Sequence, residues 1–547
     1  MNADAVIIDG YVDEPACFGV PPYISPYIRT VAGVLIEHGY SPIYSTIDQL
    51  RKDPLRFRDF SGAKIVVMIS GVTVPGKYLG GTPATLTEIQ QIGRQIRGPT
   101  TLIGGPIGFG YSPEGGKKAI KQAISGFDHL LSGSPAEALD SFIESGNPAG
   151  IHDYDRSDRW AVAGSGIIVS HPSYPHVMCE LETARGCSRV ATGGCSFCTE
   201  PFYGQPQYRP VDGITAEVEA LYSHGARHFR LGRQPDLLTY GAGRGEFPAP
   251  RPDLLEGLFR GIRHAAPGLK TLHIDNVNPG TIVRHEEKSR DALRVIIRYH
   301  TTGDVAAFGM ETADPDVIAA NNLKAGPDEV MRAIEVVNEE GGRRRDGIPE
   351  LLPGLNFIAG LAGETPLTYE LNEQFLSGLL SGGLLVRRIN IRQLMPFEGT
   401  QAYDANTLGK YESRFRQFKE YVRNRIDLPM LRLVFPQGTV LPEVIIEQPG
   451  QISFGRQMGS YPILVGVPMM LEAGSVISAI VVDWGSRSLT GLPVPFRINT
   501  LPPQVVKWIP GLGKSVKVKL LAKRPFKNID EFRAVCGPTL IDPYLEF

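Results

Sequence analysis

Between residues 179 and 400, short β-rich runs return at intervals that leave room for a helix each time: CELETA at 179, HFRLG at 228, TLHID at 271, AAFGME at 306, LNFIAG at 355 and RINIRQL at 388. A strand followed by a helix, six times over, hides its apolar faces as parallel strands inside a ring of helices, so residues 175–405 predict a partial (β/α)6 TIM-like barrel. The same rhythm opens the chain. DAVIID (4–9), KIVVMIS (64–70) and TTLIG (100–104) alternate with helix-like stretches at 24–38 and 85–97, and predict a doubly wound α/β sheet over residues 1–150. A chain of 547 residues is several times the usual domain size, so further units are expected.

Beyond the barrel, KYESRFRQFKEYVRNRI (410–426) sets Phe415, Phe418, Val422 and Ile426 at helical spacing and reads as a linker helix within residues 406–445. Residues 446–497 alternate strand and turn signals, as a small antiparallel β-barrel does. Residues 498–547 turn helical and basic: from Arg497 to Phe547 there are 9 Lys plus Arg against 4 Asp plus Glu, a local charge of +5 on a chain whose total is −2. The 42% apolar and 21% charged composition excludes the disordered class. The opening MNADAVIIDGYVDEP has no basic stretch followed by an apolar block, and no apolar run nears the ~18 residues of a membrane span. A cytoplasmic protein without membrane association is expected.

Four of the six cysteines fall between residues 179 and 204. Seven residues separate Cys187 from Cys195, two separate Cys195 from Cys198, and Gly193 with Gly194 lets the loop bend back. In a reducing compartment such a cluster reads as metal ligands before disulfides. A structural zinc site takes four protein ligands, and Cys179, inside a strand, lies too far back to serve. An iron–sulfur cluster also usually takes four cysteines, so three would leave one iron open to a small molecule. Zinc stays as the alternative on the residues alone.

Glu182, Arg185, Gly186 and Cys187, followed by Cys195, Ser196, Phe197 and Cys198, resemble the cluster loop of the radical S-adenosylmethionine (SAM) superfamily. The family's usual spacing is three residues and then two, so the gap of seven is a departure. Gly309-Met310-Glu311 looks like the family's G-x-E-S after the fourth strand, Gly360 to Thr365 (GLAGET) its GLPGET after the fifth, and Pro396 to Thr400 (PFEGT) its P-x-x-G-T after the sixth. The resemblance implies that Cys187, Cys195 and Cys198 ligate a catalytic [4Fe-4S] cluster whose open iron chelates S-adenosyl-L-methionine. An electron, from a reducing protein such as ferredoxin or flavodoxin, then cleaves the sulfonium to a 5'-deoxyadenosyl radical. It places Glu182, Phe197, Glu311, Gly363 and Glu364 on the cofactor side. Gln234 and Asp236 after the second strand, and Asp275 and Asn276 after the third, are candidates for binding cofactor or substrate, with loop capping as the alternative.

TLIGGPIGFG (101–110) looks like the GGP turn of cobalamin-binding Rossmann-like domains that precede such barrels; no Asp-x-His-x-x-Gly is present, so cobalamin is left open. Methylthiotransferases carry three cysteines in this domain and this chain has Cys17 alone, a thiol that reads first as buried core. FGRQMGSYPILVGVP (454–468) resembles the start of a TRAM domain, an RNA-binding barrel. VVKWIPGLGKSVKVKLLAKRPF (505–526) resembles a helix-hairpin-helix in which Lys507, Gly511, Gly513, Lys514 and Lys517 would contact a nucleic-acid backbone. Lys517 stands where that family packs a small alanine. The order of units resembles an archaeal-type group of radical SAM proteins. It implies an enzyme that modifies RNA, with tRNA as the expected partner, by methylation, methylthiolation or a related functionalisation of carbon. The alternative is a cobalamin-linked enzyme acting on a lipid, peptide or small molecule.

Overall fold

Runs of buried apolar residues set the first layer. In the computed structural model, which describes residues 4–14, 17–18, 22–71, 81–121 and 124–547, Ala5–Asp9 (β1) lies between Pro42–Thr46 (β2) and Ile65–Ile69 (β3), followed by Thr100–Gly104 (β4) and His129–Leu130 (β5). All pair in parallel in the order β2-β1-β3-β4-β5. Every residue of β1 and β3 is buried, as strands covered on both faces require, and this explains their unbroken apolar runs. Strand β2 escapes a reading by hydropathy because PIYST is apolar only at its start. The side chain of Cys17 lies outside the described residues.

The six runs between 179 and 400 all form parallel strands: Met178–Glu182 (β6), His228–Gly232 (β7), Thr271–Ile274 (β8), Asp304–Glu311 (β9), Leu351–Ala359 (β10) and Arg388–Gln393 (β11). Strands β8 and β9 are joined by a single bridge between Asn276 and Ala307. At the open edge, β6 takes the two-residue strand Tyr23–Ile24 from the N-terminal unit as its other neighbour.

Helix Pro26–Glu37 (α1) follows that edge strand and crosses Tyr154–Ala163 (α2) at very close range. A Cβ on Gly33 would sit 2.0 Å from the Trp160 carbonyl oxygen, so only glycine fits the crossing. Beside it, buried Arg29 donates through Nε to Glu217 (2.7 Å), whose other oxygen accepts from Arg209 (2.5 Å), which in turn binds Asp158 (2.6 Å). This chain of charges ties the N-terminal unit to the barrel.

Val440–Gln448 (β12), Ser453–Arg456 (β13), Leu464–Val467 (β14), Val476–Trp484 (β15) and Ser488–Val494 (β16) close a second, smaller barrel in the order β12-β13-β14-β16-β15. It begins inside the 406–445 segment expected to be a linker helix. That segment is helical at Glu412–Tyr421 and Leu428–Val434 and then becomes β12. The closed barrel also contains one parallel pair, β14 with β16, where an antiparallel barrel was expected.

The TRAM-like stretch turns inward. The Ser460 amide donates to His273 Nδ1 (3.0 Å), its hydroxyl to the Ile274 carbonyl (2.9 Å), and the Tyr23 hydroxyl lies 2.7 Å from the Ser460 carbonyl. This loop therefore docks onto the large barrel through Ser460. The C-terminal helices Pro503–Val506, Lys514–Lys523 and Ile529–Cys536 share a core with Ile480 and Leu492 of the closed barrel. Among the described residues no helix is long and apolar enough to cross a membrane.

Replacing Gly33 by valine forces the α1–α2 crossing apart. It should cost about 1–3 kcal/mol and lower Tm by several degrees in a thermal melt; an unchanged Tm would show that the crossing tolerates a side chain.

Candidate active site at the barrel mouth

Strand β6 ends one turn before Cys187, which puts the cysteine loop over the C-terminal ends of the barrel strands, the usual place for chemistry in this architecture. The long gap between Cys187 and Cys195 is filled by a short 3-10 turn, Ser188–Thr192, closed by Gly193 (φ 86°) and Gly194 (φ 67°). At these left-handed positions a side chain is strained.

A rivet from the other side of the barrel holds the turn. Asn322 donates through Nδ2 to the carbonyls of Thr192 (2.9 Å) and Gly194 (2.7 Å), and its own carbonyl and amide oxygens each accept from Arg189 (both 2.9 Å). Arg189 also reaches Cys195 Sγ at 3.3 Å. Ser196 is pinned to Asn321 through its amide (3.0 Å) and its hydroxyl (2.7 Å). On the other flank, the Gly186 amide donates to Glu200 (3.0 Å), and Arg233 joins Glu200 (3.5 Å) to Glu182 (3.7 Å).

Burial raises all three thiols above their ordinary range, Cys198 furthest, where Cys195, Glu200 and Cys187 add to the effect. Lys324, half-buried beside them, opposes this at Cys187 and Cys195. Burial pulls Lys324 itself down, but Cys195, Glu311, Cys198 and Cys187 outweigh it and leave it raised. The three sulfurs therefore share one electrostatic neighbourhood. Three thiols in one neighbourhood, with a cation beside them, fit the cluster that the spacing of the cysteines implies.

Cys179 is fully buried in β6 with its thiol pushed up to about 12 by burial, and belongs to the core as expected. Glu311 sits at the end of β9 with φ 62°, buried, with one carboxylate oxygen lacking a partner; burial, against Lys324 and Arg392, pushes it up to about 7. Gln234 is buried with its side-chain oxygen equally unpartnered and lines, with Cys187, Arg189, Asp236 and Lys324, the cleft beside the loop.

Several other expected cofactor residues are already committed elsewhere. Asp236 caps its own loop, accepting from the Leu238 and Asn278 amides (both 3.2 Å) and from Thr281 (2.7 Å). Glu364 accepts from the Gly360 (2.8 Å) and Leu361 (3.1 Å) amides and the Tyr369 hydroxyl (3.2 Å), so its part in GLAGET is to fold the turn in which Gly363 takes φ 84°. Glu182 binds Arg185 (2.7 Å) and Tyr154 (3.1 Å) in a separate cleft; burial would raise it, but Arg185, His152 and Arg233 hold it down at about 2. Phe197 packs with Val317, Leu361 and Leu394 in the apolar cluster that also holds Cys195. Asp275 pairs with Arg230 and accepts from Tyr461 (3.0 Å), and Asn276 donates to the Gln234 carbonyl (3.1 Å).

The sequence reading missed Lys324, Arg189 and Asn322. Arg189 lies inside the quoted loop and could have been noticed there; Lys324 and Asn322 carry no local signal, since only the fold brings residue 322 beside residue 192.

Far from this mouth, Lys507, Gly511, Gly513, Lys514 and Lys517 share one hairpin. Lys517 does not pack as an alanine would: its ammonium donates to the Lys507 carbonyl (2.5 Å) and links the two arms.

The comparisons agree with this geometry. Residues 181–370 match the family described as the radical SAM superfamily. The chain is 41% identical to an uncharacterized protein of Methanocaldococcus jannaschii over 90% of its length and 93% of the relative, and 39% identical to one of Archaeoglobus fulgidus over 97% of each. It is 26% identical to the ribosomal protein uS12 methylthiotransferase RimO of Syntrophotalea carbinolica over 39% of this chain and 43% of that one. Its fold matches that of the radical S-adenosylmethionine methyltransferase TsrM from Kitasatospora setae, solved with tryptophan and a SAM analog, with a TM-score of 0.50 at 13% identity over 73% and 74% of the two chains. The chain carries a radical SAM domain over residues 181–370 and belongs to one family with the two archaeal proteins. It is an enzyme whose cofactors are a [4Fe-4S] cluster and S-adenosyl-L-methionine.

Asn322→Ala removes the three side-chain hydrogen bonds of the rivet, leaving the one its backbone carbonyl accepts, and replaces a residue that tolerates φ 48°. Anaerobic reconstitution should then retain well under the about four iron per chain of a full cluster, while circular dichroism stays native. Asn322→Gly, which restores the backbone but not the hydrogen bonds, should recover only part of the iron. Full loading of both variants would show that the rivet is dispensable.

Proposed function

We propose that this enzyme functionalises a carbon atom in RNA, with tRNA as substrate and a methyl or methylthio group, or a related one, as the addition. The hairpin at residues 505–526 carries the reading. Lys507, Lys514, Lys519 and Lys523 are exposed there, and a Cβ on Gly511 or Gly513 would meet nothing within 4 Å. Backbone amides at the start of the Lys514–Lys523 helix are thus open to a phosphate, and four solvated ammonium groups surround the approach. The TRAM-like stretch is partly exposed and the hairpin more fully so, and the lysines gather on the hairpin. A second reading, modification of a protein side chain, is supported by the likeness to RimO, whose name gives a ribosomal protein as its target.

When bound, the cluster and S-adenosyl-L-methionine supply a carbon radical generated by one-electron cleavage. The chain's own residues do the rest. Cys187, Cys195 and Cys198 hold the cluster, and the Arg189–Asn322 rivet keeps them aimed. Glu311, with its unpartnered oxygen, would take the ammonium of the methionine moiety, and Gln234 would offer its free oxygen to a hydroxyl. The electron would come from a reducing protein such as ferredoxin or flavodoxin, and the cytoplasm is the proposed site of action. Cobalamin is proposed only as an additional cofactor of the N-terminal sheet. Its support is the strand order of that sheet, which puts a ligand crevice at the C-terminal strand ends. Those ends face the mouth: the Gly116 and Ala119 amides donate to the Leu394 and Pro396 carbonyls after β11 (both 2.9 Å).

Mass spectrometry of nucleosides from total tRNA of a deletion strain should show one modified nucleoside missing, and an unchanged profile would sink the RNA reading. A second expectation follows from Glu311. Its carboxyl is raised to about 7 in the folded chain, so it is neutral below that pH and charged above it. Affinity for S-adenosyl-L-methionine should therefore fall by up to about tenfold per unit as pH drops below 7, and Glu311→Gln should flatten that dependence. A wild-type profile flat from pH 8 to 5 would contradict the role.

A further inference from the structure

Strand β11 reads RINIRQ, and the alternation of a strand puts its first, third and fifth residues on one face. Ile389 is buried in the main core. Arg388, Asn390 and Arg392 face inside the barrel: the Asn390 amide meets that of Asn356 on β10 at 3.2 Å, and the Arg388 guanidinium lies 4.2 Å from the centre of the Tyr461 ring. Asn276, Asn356, Arg388, Asn390 and Arg392 are all half-buried, while Leu355 and Phe357, on the outward face of β10, are 1% exposed. The interior is thus polar along β10 and β11, and Arg392 lies near enough to Glu311 to oppose the rise of its carboxyl.

Not every charge inside is closely paired. Arg230 is fully buried and already pairs with Glu180 (2.7 Å) and Asp275. Among the described residues, no carboxylate lies within 4.0 Å of Arg388 or Arg392. Burial, with Arg392 and Arg487 adding to it and Tyr461 opposing, pulls Arg388 down to about 10. Arg388 and Arg392 face Asp275 and Glu311 only at longer range than an ion pair, and the planar forks of half-buried guanidinium groups match an oxyanion better than water does. The Asn390 side-chain oxygen accepts from Arg392, and the amide hydrogens that remain are donors of the kind that read the edge of a base.

We propose that Arg388 and Arg392 clamp a phosphate of the target nucleotide inside the barrel, with Asn356 and Asn390 against its base edge. Tyr461, delivered by the docked loop of the closed barrel, is a positioning residue: its ring carries Arg388, and its hydroxyl is fixed on Asp275 (3.0 Å). The proposal rests on the RNA reading and sharpens it, because a nucleotide must leave its stack to enter the lumen.

The test uses the full chain, anaerobically reconstituted, titrated calorimetrically with the four common nucleoside 5'-monophosphates, the matching nucleosides, and N-acetylaspartate as a carboxylate probe. At least one monophosphate should bind ten or more times tighter than its nucleoside. Arg388→Gln or Arg392→Gln should erase that difference with iron content unchanged, and Tyr461→Ala should reduce it while leaving both arginines in place. Equal binding of monophosphates and nucleosides, or variants that bind as the wild type does, overturns the clamp. Tight binding of N-acetylaspartate in place of every monophosphate overturns the nucleotide assignment. The two readings fail separately. An unchanged tRNA profile with arginine-dependent monophosphate binding removes the RNA substrate and keeps the clamp. A changed profile fully restored by the arginine variants removes the clamp and keeps the RNA substrate.

Discussion

The four hydrogen bonds that join Asn322, Arg189 and the Thr192–Gly194 turn decide whether there is a site at all. A gap of seven residues between two candidate ligands is long enough to wander; the amides of Gly193 and Gly194 fold it onto Val190 and Arg189, and Asn322 ties the folded turn to the barrel. Asn322 accepts from Arg189 and donates to two carbonyls of the turn, so one residue on the far side of the barrel sets the position of Cys195 and Cys198 relative to Cys187. Burial raises the three thiols, so their protons would be released to solvent only as iron binds, and Lys324 beside them would favour the thiolates.

A second dependence runs through the closed barrel. Its loop at 457–463 satisfies groups at the end of β8, through His273 and the Ile274 carbonyl, and brings Tyr461 to Asp275 and Arg388. The large barrel alone would leave those groups without these partners. The C-terminal unit is therefore part of the catalytic body, and only the hairpin beyond it projects lysines outward. Charge follows the same division: neutralised pairs bind the units together through Arg29, Glu217 and Arg209, while cations without a close ion pair line the lumen and solvated ones gather on the hairpin.

The cysteine triad and all six barrel strands were legible in the sequence, because ligand spacing and apolar runs are local signals. What the signals did not carry was tertiary. GLAGET and the acidic residue after the second strand mark turn geometry as much as ligation, and Glu364 and Asp236 prove to be committed to backbone amides. Strand β2 was hidden by its polar end, and β12 by the helix before it. That FGRQMGSYP docks on His273 through Ser460 carried no signal in the sequence. Lys324 and Asn322 could not have been found without the fold.

The central claim is that three thiolates of this chain hold a four-iron cluster and leave one iron to S-adenosyl-L-methionine. The most direct test is the electron paramagnetic resonance spectrum of the reconstituted, dithionite-reduced full chain, recorded without and then with S-adenosyl-L-methionine. The account predicts a reduced-cluster signal whose g values shift when the cofactor is added, because one iron lacks a protein ligand. Superimposable spectra, or a silent protein carrying stoichiometric zinc, would contradict it.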